Sequence, residues 1–203
     1  MAARVYRVGM TAKDLFLLSD AALRDVIDSI APEQLDLPVP AEWSSTGVPT
    51  LRGIIGLHAK DEAWVPDVVA GRTIEEVGET WNGDLLGEDP IAAYDAIHDR
   101  ATVAVRSVTD LDAVAHLSYG DYPLSTYFEH TSFYRAFQAV AIAKLLGRDL
   151  RMSDALVDLL WDAAVPQAEQ LRQWHVFGPE VEVPEGADKQ TRLLGLTGFY
   201  DPS

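Results

Sequence analysis

Apolar residues return at three- and four-residue steps in several separate stretches of this chain, and only helices bury a pattern of that period. The first stretch runs from Thr11 to Ile30, with Leu15, Leu18, Ala22, Val26 and Ile30 in step; Thr11 and Asp14 are placed to cap its start, and Pro32 stops it. A second helix begins at Thr50 and passes through Leu51, Ile54, Ile55, His58, Glu62 and Val65 toward Val69, with Pro66 expected to bend or shorten it and Gly71 to end it. Asp89 and Pro90 are a cap and first-turn pair for a third, whose apolar face is Ile91, Tyr94, Ile97, Ala101 and Val105. A fourth opens at Leu124 or Ser125, carries Tyr127, His130, Tyr134, Gln138, Ala141 and Leu145, and ends at Gly147. Ser153 caps a fifth segment that Pro166 interrupts.

The connections are long. Residues 31–49 hold four prolines and a Trp43 anchor, residues 71–89 are acidic with Trp81 and Leu85-Leu86 tucked inward, and the alternating piece Ala113 to Tyr119 reads as an extended crossover. The C-terminal stretch is too apolar for a loose tail and is expected to pack back on the helices. The fold expected is all-α with minor β, one domain over residues 1–203, with four long core helices.

Of the 203 residues, 48% are hydrophobic, enough for one substantial core. Lys and Arg number 16 against 32 Asp and Glu, a formal charge of −16 that argues against nucleic-acid phosphates and anionic membrane surfaces as partners. Cysteine is absent, which removes disulfides, thiolate nucleophiles and Cys-ligated metals. No run approaches the roughly 20 apolar residues of a membrane span. The expectation is a soluble cytoplasmic protein, monomer or homodimer, with a small-molecule ligand as partner.

Two constellations carry chemistry. His58 lies among apolar positions of the second helix with Asp61 and Glu62 three and four residues on, so either carboxylate can reach the imidazole; the pair suits an acid/base couple or a metal ligand, or is an ordinary helical ion pair. His130, Tyr134 and Gln138 follow one another at four-residue steps on a helix rich in aromatics, including Tyr127 and Phe137, which suits the wall of a pocket for a small, partly apolar ligand and equally suits an internally satisfied core. His98 is expected on the outer face of the third helix, His116 in an extended stretch and His175 beside Trp174. There is no phosphate loop, nucleophile elbow, zincin motif or dinucleotide fingerprint.

The order of segments also resembles a known family. A first helix, the LPVPAEWSS loop, the helix TLRGIIGLHAKDEAWVPDVVAG, the segment GDLLGEDP, the LSYGDYPL crossover, the helix ending AIAKLLGRDL and the tail VFGPEVEVPEGADKQTRLLGLTG are similar to actinobacterial proteins related to mycothiol-dependent maleylpyruvate isomerase, within the DinB-like metal-binding superfamily. The resemblance implies a DinB-like four-helix bundle with long crossovers and, in typical members, a divalent metal between helices. His58 matches the first metal histidine. The two later ligand positions fall on Tyr134 and Gln138, and a phenol and an amide do not replace a carboxylate or imidazole pair. The chain is therefore expected to hold no metal or other cofactor, the alternative being zinc, with His58 and His130 as ligands, and mycothiol.

Three functions compete. One is a metal-independent isomerase or cyclase acting on a small organic or secondary-metabolite substrate, with His58 as general acid or base near its ordinary pKa, Glu62 orienting it and Tyr134 donating a hydrogen bond. In it Asp61, Tyr127, His130, Phe137 and Gln138 would bind ligand. The second is a non-catalytic binding protein using the same cavity, and the third a metal- and mycothiol-dependent isomerase or transferase.

Overall fold

A computed structural model describes residues 10–43 and 47–201. Helix α1 (Ala12–Asp28) opens on a complete capping box, in which the Thr11 hydroxyl accepts from the Asp14 amide while the Asp14 carboxylate accepts from the Thr11 amide at 2.7 Å. Its buried face takes in Leu15 and Val26 of the expected stripe, with Ile30 buried just past its end, but is centred to one side of it. Ala12, Leu15, Phe16, Ser19, Asp20, Leu23, Val26 and Ile27 are buried, whereas Leu18 and Ala22 lie at the margin. Helix α2 (Leu51–Val69) starts on the Thr50 cap and continues past Pro66 to Val69. An internal proline costs about 3 kcal/mol, and burial of Val65 and Val68 around it offsets that loss, so the expected shortening does not occur.

After the single turn α3 (Ile74–Val77), Asp89 and Pro90 start α4 (Pro90–Ser107). The 113–123 crossover is a hairpin, with β1 (Val114–Leu117) antiparallel to β2 (Gly120–Pro123). Helix α5 (Leu124–Leu145) follows directly. Apolar residues are spread around it, and most of its length is buried against its neighbours. Helix α1 lies along α5, α2 along α4, and α1 also touches α4. The described chain is thus predominantly helical with one small sheet. Two apolar clusters fill it, one around Phe16, Phe128 and Phe137 and one around Leu23, Ile54, Ile55 and Tyr94; Trp43, Trp81 and Leu85 pack at the edge of the second, with Leu86 inside it.

Pro166 does divide the fifth segment, into α6 (Asp154–Ala164), a 3-10 turn and α7 (Ala168–Gln173). The last helix, α8 (Lys189–Thr197), folds back on α6. Gly198 ends it with φ 80°, and a Cβ there would stand 2.7 Å from the Cα of Gly178. That contact, with Gly178 N–H donating to Thr197 O at 3.0 Å, brings residues 176–178 and 198–199 together beside α5. No described helix is long and apolar enough to cross a membrane.

Candidate functional site

Helix α5 places polar side chains on two sides of itself. On the outward side, His130, Tyr134 and Gln138 stand in line as their spacing requires, with Phe133 and Phe137 between them. Val176 and Phe199 of the C-terminal segment form the facing wall, and a groove of about 230 Å³ lies between. Phe199 stacks on Phe137 with centroids 4.6 Å apart at 23° and remains 41% exposed. Gln138 is only 7% exposed, and its Nε2 has no hydrogen-bond partner. His130 Nδ1 lies 3.4 Å from the Tyr119 hydroxyl, with the Tyr119 and Tyr122 rings beside it, and burial lowers its pKa.

Beneath Tyr134 lies His58. The two rings stack with centroids 4.5 Å apart at 26°. Tyr134 is 36% exposed and His58 only 1%, so the tyrosine covers the histidine. His58 Nε2 has no partner, and neither Asp61 nor Glu62 forms an ion pair with the ring. Burial, reinforced by the nearby Arg135 charge, lowers the imidazole to about 3, against a weaker upward pull from Asp20. The expected poise near its ordinary value does not hold: at neutral pH this ring is uncharged. Burial and the neighbouring Asp61 push the Tyr134 phenol up to about 12.

Glu62 turns the other way, which corrects its expected role as the orienting partner of His58. It faces Arg135, whose Nε donates to Glu62 Oε1 at 2.7 Å, with Nη2 2.6 Å from the same oxygen. The guanidinium lies 4.5 Å over the Phe16 ring, and Asp20 Oδ1 is 3.4 Å from its Nε. Asp20 Oδ2 in turn sits 2.9 Å from His98 Nε2. Arg24 can only donate, so His98 Nδ1, 3.1 Å from Arg24 Nη1, accepts, which assigns the ring proton to Nε2 facing Asp20. His98 is therefore buried inside this cluster and not on the outer face of α4.

Two carboxyl groups here share one guanidinium. Burial raises Glu62 well above the ordinary carboxylate range, against the pull of Arg135 and with the help of the Asp20 charge. Burial also opposes ionisation of Asp20, yet the His98 hydrogen bond and Arg135 outweigh it and hold Asp20 low. The two acids are thus driven in opposite directions, Glu62 toward its protonated form and Asp20 toward its carboxylate.

The remaining expected residues are dispersed. Asp61 reaches the surface, where surrounding protein raises its carboxyl. Tyr127 packs in the core against Phe128 and does not line the groove, because its position on α5 faces inward. His116 bonds Asp121 across the hairpin at 2.8 Å, and His175 occupies a left-handed turn beside exposed Trp174. The sequence reading missed Asp20 and Arg135. Asp20 stands four residues after Phe16 and three before Leu23, so a charge at a position of core period was the available signal for it.

Two larger clefts hold less chemistry. One of about 590 Å³ between α6 and α8 has Asp154 in its lining beside two ion pairs, Arg151 with Asp188 and Lys189 with Asp158. Another of about 380 Å³ lies beside Trp81, whose indole donates to Asp67 at 2.7 Å.

The donor set does not fit the divalent metal that the family resemblance implies. His58 offers one imidazole nitrogen, Tyr134 lies flat on that ring as a neutral phenol, and the Arg135 cation stands close enough to depress the imidazole. Among the described residues no three His, Asp or Glu side chains gather as a metal site. Comparison of the chain with family models, with curated proteins and with solved structures finds no match.

Proposed function

We propose that the chain is a metal-independent small-molecule protein of DinB-like four-helix architecture that takes its ligand into the α5 groove. One observation carries this: a groove of about 230 Å³ lies over α5, walled by Phe133, Tyr134, Phe137 and Phe199 with His130 and Gln138 in its lining. The meeting of His58 with the helix that carries Tyr134 and Gln138 supports the family reading, since these are the positions that the resemblance assigns to the site. Ligand-observed NMR with a mixed fragment set is the test. Fragments that bind the protein and lose binding in Tyr134→Ala are expected, and a set with no groove-dependent binder would refute the reading.

A second reading, an isomerase or cyclase in the same groove, is favoured by the unpartnered Nε2 of His58 directly under Tyr134. For this step Tyr134 swings off the imidazole it covers; the neutral ring then accepts a proton from the α-carbon of a bound carbonyl compound and returns it at another carbon, while the phenol bonds the carbonyl oxygen. Exchange of the α-hydrogens of aryl ketones for deuterium in D₂O measures this step. The protein should accelerate exchange, and His58→Ala should slow it about 100-fold. Equal exchange with and without protein would leave the groove as a binding site alone.

A further inference from the structure

Resting on the binding reading of the α5 groove, we propose that its ligand is a protonated amine with an apolar body of one or two rings, whose ammonium group lies against the open ring faces of Tyr134 and Phe199 and donates to Gln138 Oε1. The polar atoms of the lining choose the sign of the charge. Gln138 Nε2 is sealed from solvent, so this amide meets the groove through its oxygen, an acceptor without a protein donor among the described residues. Burial holds His130 and the covered His58 below their ordinary values, so neither ring carries a positive charge at neutral pH. No Lys or Arg is among the residues lining the groove, and an anion finds no cation there.

The flanks favour a cation as well. Asp61 on α2 lies close enough to Tyr134 to push the phenol up, and it has no hydrogen bond or ion pair of its own among the described residues. Glu129 precedes His130 on α5 and draws that ring upward against its burial. The neighbouring cations are engaged elsewhere: Arg135 is buried behind Tyr134 with Glu62 and Asp20, and Lys60 Nζ donates to Asn82 Oδ1 at 2.7 Å. The chain's charge of −16 adds attraction at longer range. Tyr134 and Phe199 keep open ring faces, which attract an ammonium, and their exposure leaves that group part of its water. The volume of about 230 Å³ falls just short of drug-sized pockets, which sets the limit of one or two rings.

The experiment titrates the intact protein with four naphthalene probes, 1-naphthylmethylamine, 1-naphthylmethanol, 1-naphthoate and trimethyl(1-naphthylmethyl)ammonium, and maps the site on the His130 and Tyr134 ring signals by NMR. The amine should bind best, with its uncharged isostere the alcohol about tenfold weaker. The quaternary ion, which has no N–H to donate, should fall between them, and naphthoate should bind least. Asp61→Asn, at an exposed position, should weaken the amine about threefold and not the alcohol. A cation is drawn to any acidic surface, so Phe199→Ala, also exposed, locates the binding by weakening every probe. If the alcohol or naphthoate binds the groove as tightly as the amine, the ligand class is overturned and the groove survives as a ligand site. If the quaternary ion matches the amine, the hydrogen bond to Gln138 is overturned, and an unchanged amine affinity in Asp61→Asn overturns the part given to that carboxylate. If no probe moves the groove signals, this inference fails, while the fragment screen with Tyr134→Ala still decides the site itself.

Discussion

The two sides of α5 carry polar groups under opposite rules. On the inner side, Asp20, Glu62, His98 and Arg135 are buried and committed to one another over contacts of 2.6 to 3.4 Å. On the outer side, His130, Tyr134 and Gln138 are uncharged, partly open and in the case of Gln138 unpaired. Residues 134 and 135 are neighbours in the chain, yet a 100° step around the helix puts one in the groove and the other in the core. The contrast separates a group that ties helices α1, α2, α4 and α5 together from a group whose polar atoms are not committed to one another. Removing one partner from a buried ion pair is costly, whereas one unpaired neutral amide nitrogen is a modest cost.

The most severe break of this contrast is Arg135→Leu. It leaves Asp20 and Glu62 buried without their cation, and loss of one partner of a buried ion pair costs about 3–5 kcal/mol. Thermal unfolding should fall by about 10 °C for a chain of this size. A fall of less than 2 °C would mean that the cluster contributes nothing to register.

Acid should act next, through His58. The unfolded chain protonates this ring near pH 6.5 while the folded chain refuses the proton until about 3, so its share of stability is full above pH 6.5 and drains as the pH falls toward 3. Between pH 6.5 and 5 the loss is about 2 kcal/mol, at about 1.4 kcal/mol per pH unit. Glu62 runs the other way, since its raised pKa stabilises the fold below the ordinary carboxylate value and that share is lost as the pH rises through the folded value. The difference between the protein and His58→Gln in urea melts at each pH isolates the histidine. Parallel curves for the two would show that His58 is not held neutral.

Gln138→Leu sharpens the contrast by its sign. Removing an unpaired buried amide should raise stability by about 1 kcal/mol, the opposite of what any substitution in the charged cluster does. A loss of similar size in chemical denaturation would show that the amide has a partner in solution. Smallest of all, Tyr134→Phe removes one hydroxyl from a half-exposed ring and keeps the stack on His58. Its effect on unfolding should stay within about 0.5 kcal/mol, and a larger change would place that hydroxyl in the folded framework.

Local chemistry decided much of this protein before any tertiary contact formed. Thr11, Thr50, Asp89 and Ser153 start helices because their side chains satisfy amides of the first turn, and each helix begins where its cap stands. The His130, Tyr134 and Gln138 stripe was legible for the same reason, since a four-residue step is a property of the helix alone. What the packing decided lies across helices. Spacing placed Glu62 within reach of His58, but Arg135, 73 residues further on, is a charged partner in a dry interior and outcompetes a neutral ring. His98 seemed suited to the outer face of α4 until Asp20 of α1 gave it a buried acceptor. The groove wall depends on Gly178 and Gly198 meeting closely enough to bring Phe199 beside Phe137. Sequence periodicity assigns residues to faces of one helix; which face meets which partner depends on long-range packing, where burial makes the choice of ion partner far costlier to get wrong than it is in water.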